Sequence, residues 1–229
     1  MTSFARSDAR ELMDAPVDSL SELEENLRDL ERANRWFGGV APIAHEIRRR
    51  GARRILDVGC GGGDIARALA RAARDRGESL SLTCLDSSEQ ILELARRRTG
   101  TNSDLTFVRG NGTRLPFGDG TFDLAFCSLV LHHAAPEEEA IALLRELRRV
   151  SRLTPIVADL YRSRAAYVAI WTFLHLASRN RLTVHDGPLS VRRAYTPAEA
   201  VELARAAGWK KPVARRTAWF RMIVLDEGA

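Results

Sequence analysis

The sequence predicts an α/β fold, a doubly wound and mainly parallel sheet with helices on both faces. Two observations carry this. Between residues 53 and 160 short apolar runs alternate with amphipathic stretches, and strands separated by helices of about ten to fifteen residues build parallel βαβ units. The first apolar run also breaks into a glycine cluster, Gly59, Gly61, Gly62 and Gly63, and passes straight into a helical stretch. The chain has 229 residues, 45% of them hydrophobic, enough for one domain with a real core. That domain is expected over 51–229, behind an N-terminal helical cap of 1–50.

Residues 1–18 read as a loose leader ending in Pro16 and Asp18. Ser19 and Glu22 have capping-box spacing. Leu20, Leu23, Leu27 and Leu30 then carry a helix to Trp36 and Phe37, where Gly38 and Gly39 stop it. A second helix is expected over 41–50. Strands follow at RRILDVGC, 79–86, 105–110, 121–128 and 155–160, with helices over 64–76, 89–98 and 137–151. A helical insert, 161–195, comes next: a helix over 162–179, then a loop through His185, Asp186, Gly187 and Pro188, whose Gly-Pro reads as a turn. Thr196 and Pro197 open a further helix that Gly208 stops. Strands near 213–216 and 218–225 are expected to pair antiparallel at the sheet edge, which makes seven in all.

Composition narrows the class. The net charge is +5, yet Lys210 and Lys211 are the only lysines, and the arginines are spread along helices among glutamates. Without a focused basic stripe, a nucleic-acid partner is not expected. Cys60, Cys84 and Cys127 form no CxxC pair and have no metal-ligand spacing. No metal or disulfide framework is expected, and the three read as reduced, buried thiols of a cytoplasmic protein. The first twenty residues lack the apolar run of a signal peptide. The most apolar stretch, 165–177, is shorter than the roughly 20 residues a bilayer needs.

The glycine turn is the chemical centre. In open parallel sheets ligands bind beyond the carboxyl ends of the strands. A dinucleotide fingerprint wants glycines at positions one, three and six; Gly59 and Gly61 fit, but Asp64 holds the sixth place. A carboxylate there repels a pyrophosphate, which favours an adenosyl ligand without phosphate. Asp86, at the end of the second strand, suits a pair of ribose hydroxyls, and taken alone reads as a helix cap with Ser87 and Ser88.

These residues, with ILDVGCGGGDIA, LTCLDSS, GNGTRLPFGDGTFDLAF and SLVLHH, resemble the class I S-adenosylmethionine-dependent methyltransferases of the ubiquinone/menaquinone-biosynthesis-like group. The resemblance implies a Rossmann-like fold with S-adenosylmethionine as cofactor and S-adenosylhomocysteine as product. Asp57, Gly59, Cys60, Gly61 and Gly63 would then face its methionine part and Asp86 and Ser87 its ribose. Asn111 and Gly112 would lie by the adenine, and Ser128 would line the pocket. Asn111 stands where the family usually has an acidic residue, and its amide oxygen is expected to accept from the adenine amino group instead. The family's Pro-Gly-Gly before the fifth strand is replaced by SRLTPIV. The leader helix, DLYRSR and HDGPLSVRRAYTPAE are similar to a bacterial subgroup that accompanies polyketide and phenolic-lipid biosynthesis, which implies a small hydrophobic or phenolic acceptor.

A phenol benefits from a base, and histidine suits that task. His133, with His132 second, follows the fourth strand and is the expected general base; the plainer reading is a capping or pocket-shaping histidine. His185 and Asp186 read as a turn before an acid–base pair. His175 reads as packed or part-exposed, and His45 as surface. Trp36, Phe37, Tyr167, Trp171 and Phe173 are candidates for the acceptor pocket, although an aromatic stripe is usually core. O-methylation in secondary metabolism is the leading reading, with C-methylation of a quinone or polyketide ring next. An RNA or protein target and a non-catalytic partner are the remaining readings; RNA is disfavoured because the fourth strand lacks an Asn-Pro-Pro-Tyr motif, and the intact glycine turn and Asp86 argue against a non-catalytic partner.

Overall fold

The computed structural model describes residues 4–15, 17–101 and 104–228; the leader's Pro16 lies outside them. Seven strands form one sheet in the order β3-β2-β1-β4-β5-β7-β6. Five of them, β1 (Arg54–Val58), β2 (Ser81–Asp86), β3 (Leu105–Arg109), β4 (Leu124–Ser128) and β5 (Ile156–Leu160), run parallel. β7 (Arg221–Asp226) is antiparallel to β5 on one side and to the edge strand β6 (Pro212–Arg216) on the other. The closing pair is antiparallel, as expected, with β7 inserted between β5 and the edge.

The pleat of each strand feeds two cores. On one face Leu56, Val58, Ala125, Cys127 and Val157 pack with Tyr195 and Trp209. On the other, Ile55, Leu124, Phe126 and Ile156 meet Ile43 and Ile47 of helix α2 (Ala41–Arg49) and Ala66 and Leu69 of helix α3 (Asp64–Arg74). This two-sided burial explains why the parallel strands read as continuous apolar runs.

Helix α1 (Leu20–Trp36) starts at Ser19, whose hydroxyl accepts from the Glu22 N–H at 3.2 Å. Glu22 does not complete the expected box; its carboxylate pairs with Arg181 at 3.1 Å instead. Leu23 and Leu27 of α1 pack with Ile91 and Leu94 of α4 (Glu89–Thr99) and with Leu182. Helix α5 (Glu137–Val150) covers the opposite face.

Two expectations are corrected. The insert is a pair of helices, α6 (Arg164–Ala177) and α7 (Arg181–Arg193), and His185, Asp186, Gly187 and Pro188 lie inside α7. Gly187 is there for close approach, not for a turn: a Cβ on it would sit 2.1 Å from Leu174 Cδ1 of α6. The leader is not loose either. It forms a 3-10 turn, Leu12–Asp14, whose Leu12 and Met13 N–H groups donate to the Asp186 carboxylate at 2.8 and 3.1 Å. Arg162 holds the Phe4 carbonyl at 2.9 Å, and the Ser7 N–H donates to the Arg192 carbonyl at 3.0 Å. Helix α8 (Pro197–Ala206) opens on a complete Thr196–Glu199 capping box and leads into β6.

Candidate cofactor and acceptor site

β1 must leave the sheet and enter α3 within a few residues, and glycine makes that possible. Gly59, Gly61 and Gly63 have φ of 71°, 52° and 70°, a region closed to most side chains. Gly59 is also crowded, since a Cβ there would lie 2.5 Å from Val130 Cγ2. The Gly59 and Cys60 N–H groups donate to the Leu85 carbonyl at 2.7 and 3.0 Å, which ties the turn to the end of β2. There Asp86 accepts from the Gly61 N–H and the Ser88 N–H, both at 3.0 Å. Burial raises its pKa, against the pull of those N–H groups. Each oxygen keeps capacity for a further donor. Ser87 is exposed beside it.

Three buried side chains at this edge of the sheet have polar atoms without partners among the described residues: Asp57 Oδ2, Ser128 Oγ, and Nε and Nη1 of Arg221. Asp57 and Ser128 lie on the neighbouring strands β1 and β4. Arg221 opens β7 opposite Leu160, so it stands at the same carboxyl edge. Its Nη2 donates to Asn34 Oδ1 at 2.8 Å, and Asn34 in turn donates to Asp64 Oδ2 at 2.9 Å. Burial pushes the guanidinium down and the Asp57 carboxyl well up. Orphaned buried groups of this kind are costly. An amino-acid zwitterion fits the set, offering a carboxylate to the cation and an ammonium to Asp57 and Ser128.

Asn111 departs from expectation. Its Oδ1 already accepts from the Thr113 N–H at 2.9 Å and the Thr113 hydroxyl at 2.8 Å, so the amide presents its NH2 outward as a donor. Gly112 lets this loop lie against Val58 and Leu143, whose methyls stand 3.0 and 3.1 Å from where a Cβ would be.

After β4 the chain turns sharply at Leu129, with φ 57°, and enters the short turn Leu131–His133. His132 is buried, and its Nδ1 lies 2.7 Å from Asp159 Oδ1 of β5. His133 is part-exposed, and its Nδ1 lies 2.7 Å from Asp14 Oδ1. The two Nε2 atoms face the two oxygens of Glu11 at 3.6 and 3.7 Å. Glu11 is only 3% exposed, and burial pushes its pKa up to about 7 against the pull of His133 and the Ser190 hydroxyl. Burial works against ionisation of Asp14 too, but His133 and Arg193 overcome it and hold that carboxyl well below its usual range. Arg193 braces the turn, donating to Asp14 at 2.7 Å and to the His132 and His133 carbonyls at 3.2 and 3.0 Å. The field of His133 also lowers the pKa of Asp86, so the histidine turn and the glycine turn share one electrostatic neighbourhood.

Glu11, Asp14, Asp159, Arg193, Asn34 and Arg221 are the residues that sequence reasoning missed. The one local hint is the Glu11–Asp14 spacing of three, which puts both carboxylates on one side of a 3-10 turn. The aromatic candidates divide. Phe37 packs on Phe173 at 5.2 Å and on Trp219 at 5.3 Å, whereas Tyr167 meets Phe4 at 5.8 Å. Trp171 stacks on the exposed His175 at 4.2 Å, and Trp36 is 61% exposed. His45 is at the surface, and His185 holds Asp186 at 2.7 Å. Cys60, Cys84 and Cys127 are free and buried.

Residues 55–153 match the family described as Methyltransferase domain. The ubiquinone/menaquinone biosynthesis C-methyltransferase UbiE of Rickettsia akari is 42% identical over 72 residues, 30% of this chain and 29% of that protein. The demethylmenaquinone methyltransferase of Bacillus licheniformis is 37% identical over 95 residues, 42% and 38% of the two chains. The chain thus spans less than two fifths of the length of these curated relatives. Among solved structures, a SAM-dependent methyltransferase from Aquifex aeolicus has a TM-score of 0.64 at 17% identity, covering 88% of this chain and 96% of the other. Human N-acetylserotonin methyltransferase in complex with SAM has a TM-score of 0.67 at 15% identity, covering 93% and 60%. At such identities these two likenesses speak for the fold. From β1 through α5 the chain thus carries an S-adenosylmethionine-dependent methyltransferase domain, and over 72 and 95 residues it is similar to methyltransferases of the ubiquinone/menaquinone group.

Proposed function

We propose that the protein methylates an oxygen of a small hydrophobic or phenolic acceptor, in the cytoplasm and in secondary metabolism. The observation that carries this is the Glu11–His132–His133 cluster, whose field reaches Asp86: it is equipment for handling a proton where an acceptor hydroxyl must lose one. When bound, S-adenosylmethionine supplies a sulfonium methyl open to in-line displacement. On this reading Asp86 takes the ribose hydroxyls, Arg221 the amino-acid carboxylate, and Asp57 and Ser128 the ammonium. The 59–63 backbone lies along the methionine part, with Cys60 beneath it, and Asn111 and Gly112 lie along the adenine. His133, the more open of the two rings, receives the acceptor's proton, and Asp14 on its Nδ1 steadies the cationic form. His132, enclosed between Asp159 and Glu11, supports it. Phe37 and Phe173 form an acceptor wall, so substitution of Phe173 should change acceptor preference and leave cofactor affinity alone.

A second reading, C-methylation of a quinone or polyketide ring, is favoured by the C-methyltransferase name of the Rickettsia akari relative. The test is incubation with methyl-labelled S-adenosylmethionine and a panel of phenols and quinols, with products identified by mass spectrometry and NMR. A methoxy carbon supports the first reading and a ring methyl the second. His133→Ala is expected to slow turnover by about 10²–10⁴-fold. Rates within a few-fold of wild type for both His133→Ala and His132→Ala would remove the base assignment.

A further inference from the structure

We propose that Glu11, His132 and His133 form a site for one divalent first-row transition-metal ion, with an open coordination position toward the acceptor. Only the open position's facing rests on the proposed function; the site itself stands on the geometry of the donors, and it revises the sequence reading, which foresaw no metal. Each residue offers one ligand atom, and these atoms lie within 4.8 Å of one another. The Glu11 oxygens stand 3.6 Å from His132 Nε2 and 3.7 Å from His133 Nε2. The two contacts are to different oxygens, Oε1 and Oε2; ligands ~2.0–2.1 Å from a tetrahedral ion are about 3.4 Å apart, so donors that lie within 4.8 Å of one another draw together by up to about 1.4 Å on binding.

The surroundings match what such an ion demands. Metal-binding imidazoles characteristically give their other ring N–H to a carboxylate, which fixes tautomer and orientation. Both rings do so here: His132 Nδ1 is 2.7 Å from Asp159 and His133 Nδ1 is 2.7 Å from Asp14. That arrangement leaves both Nε2 lone pairs directed at Glu11. Arg193 clamps Asp14 and both histidine carbonyls from behind, which holds the donors in place. Among the described residues, the basic side chains within 4.0 Å of the Glu11 carboxylate are these two imidazoles, and a buried carboxylate is costly to ionise without a cation. The direct hydrogen bond to Glu11 Oε1 comes from the Ser190 hydroxyl, at 2.9 Å.

Two imidazoles and one carboxylate favour zinc-like ions over magnesium or calcium, which take mainly oxygen ligands. Three protein ligands leave a fourth position for water or an acceptor oxygen, which ionises more readily on such an ion than in bulk water. In the loaded protein His133 is therefore a ligand, and its role as a free base belongs to the ion-free form.

The test uses the full chain, stripped with EDTA, dialysed and freed of any affinity tag. It is titrated with Zn²⁺ against a chromogenic chelator, and separately with Co²⁺ while its visible d–d bands are recorded. The expected result is one ion per chain with a Zn²⁺ Kd below about 1 μM and cobalt bands of low-coordinate geometry. Glu11→Gln and His133→Gln are each expected to weaken binding by about 100-fold or more, and Asp14→Asn by about 10–100-fold. Circular dichroism spectra matching the wild type's are expected for all three, which shows that the variants are folded. Wild-type protein that takes up no stoichiometric ion overturns the proposal, as does uptake that neither Glu11→Gln nor His133→Gln affects. Full methylation by stripped protein overturns the open position toward the acceptor and leaves the proposed methyl transfer standing. Stoichiometric uptake without methylation of any acceptor upholds the site while the functional reading fails.

Discussion

Arg221 carries a charge that its neighbours only half answer. One nitrogen is held by Asn34, and two buried N–H groups have no partner among the described residues. If they receive the carboxylate of S-adenosylmethionine, then Arg221→Met should weaken that ligand by about 10–100-fold, the worth of a charge-assisted hydrogen bond. Methylthioadenosine, which lacks the amino-acid part, should bind both proteins equally, and titration calorimetry with the two ligands checks this. Thermal stability should not fall, because a half-paired buried charge is replaced by an apolar chain of similar length. Legibility at this scale follows sequence distance. Asp86 and the 59–63 glycines were readable because their chemistry sits in short, fixed spacings. Arg221 was not, because its partner Asn34 lies 187 positions away, and Asp14 is 119 positions from His133. Asn111 was readable as a position but misjudged in direction, since its carbonyl is spent on its own turn.

Among the elements, the strands and the amphipathic helices were legible from period and burial, whereas α7 was not. Gly187-Pro188 is a strong local turn signal, and tertiary contacts override it. Asn180 caps the first turn by accepting from the Thr183 N–H at 3.1 Å, Asp186 is engaged by the leader, and Gly187 admits Leu174. Gly187→Ala should therefore destabilise, although alanine is the better helix former. The methyl has to displace Leu174, at a cost of about 1–3 kcal/mol, which outweighs the roughly 1 kcal/mol of propensity gained. Urea unfolding of the variant measures the difference. A stabilised variant would mean that α6 and α7 are less closely packed than the geometry requires.

For the whole molecule, sheet type and layering were legible, and so was the antiparallel closing pair, because alternation and turn residues are local. The insertion of β7 beside β5 was not, since register between distant strands leaves no local trace. Asp226 fastens that closure: its carboxylate accepts from the Lys210 and Lys211 N–H groups at 3.0 and 2.8 Å and from the Gly228 N–H at 3.1 Å. Burial opposes ionisation, but these N–H groups prevail and hold its pKa below the ordinary 3.8. A depressed folded-state pKa means stability that is complete above the unfolded value and is lost as pH falls through the folded one. Asp226→Asn should thus lose about 1–3 kcal/mol near neutral pH, with the gap from wild type narrowing below pH ~4. Denaturant titrations at neutral and acid pH check this. The leader has a different consequence. Leu12 meets Asp186 across 174 positions, and Glu11 meets Ser190 across 179. Loop-closure entropy grows only logarithmically with length, so these contacts are thermodynamically inexpensive. Both contacts end on α7, so the acidic residues of the cluster depend on that distant helix to reach their station.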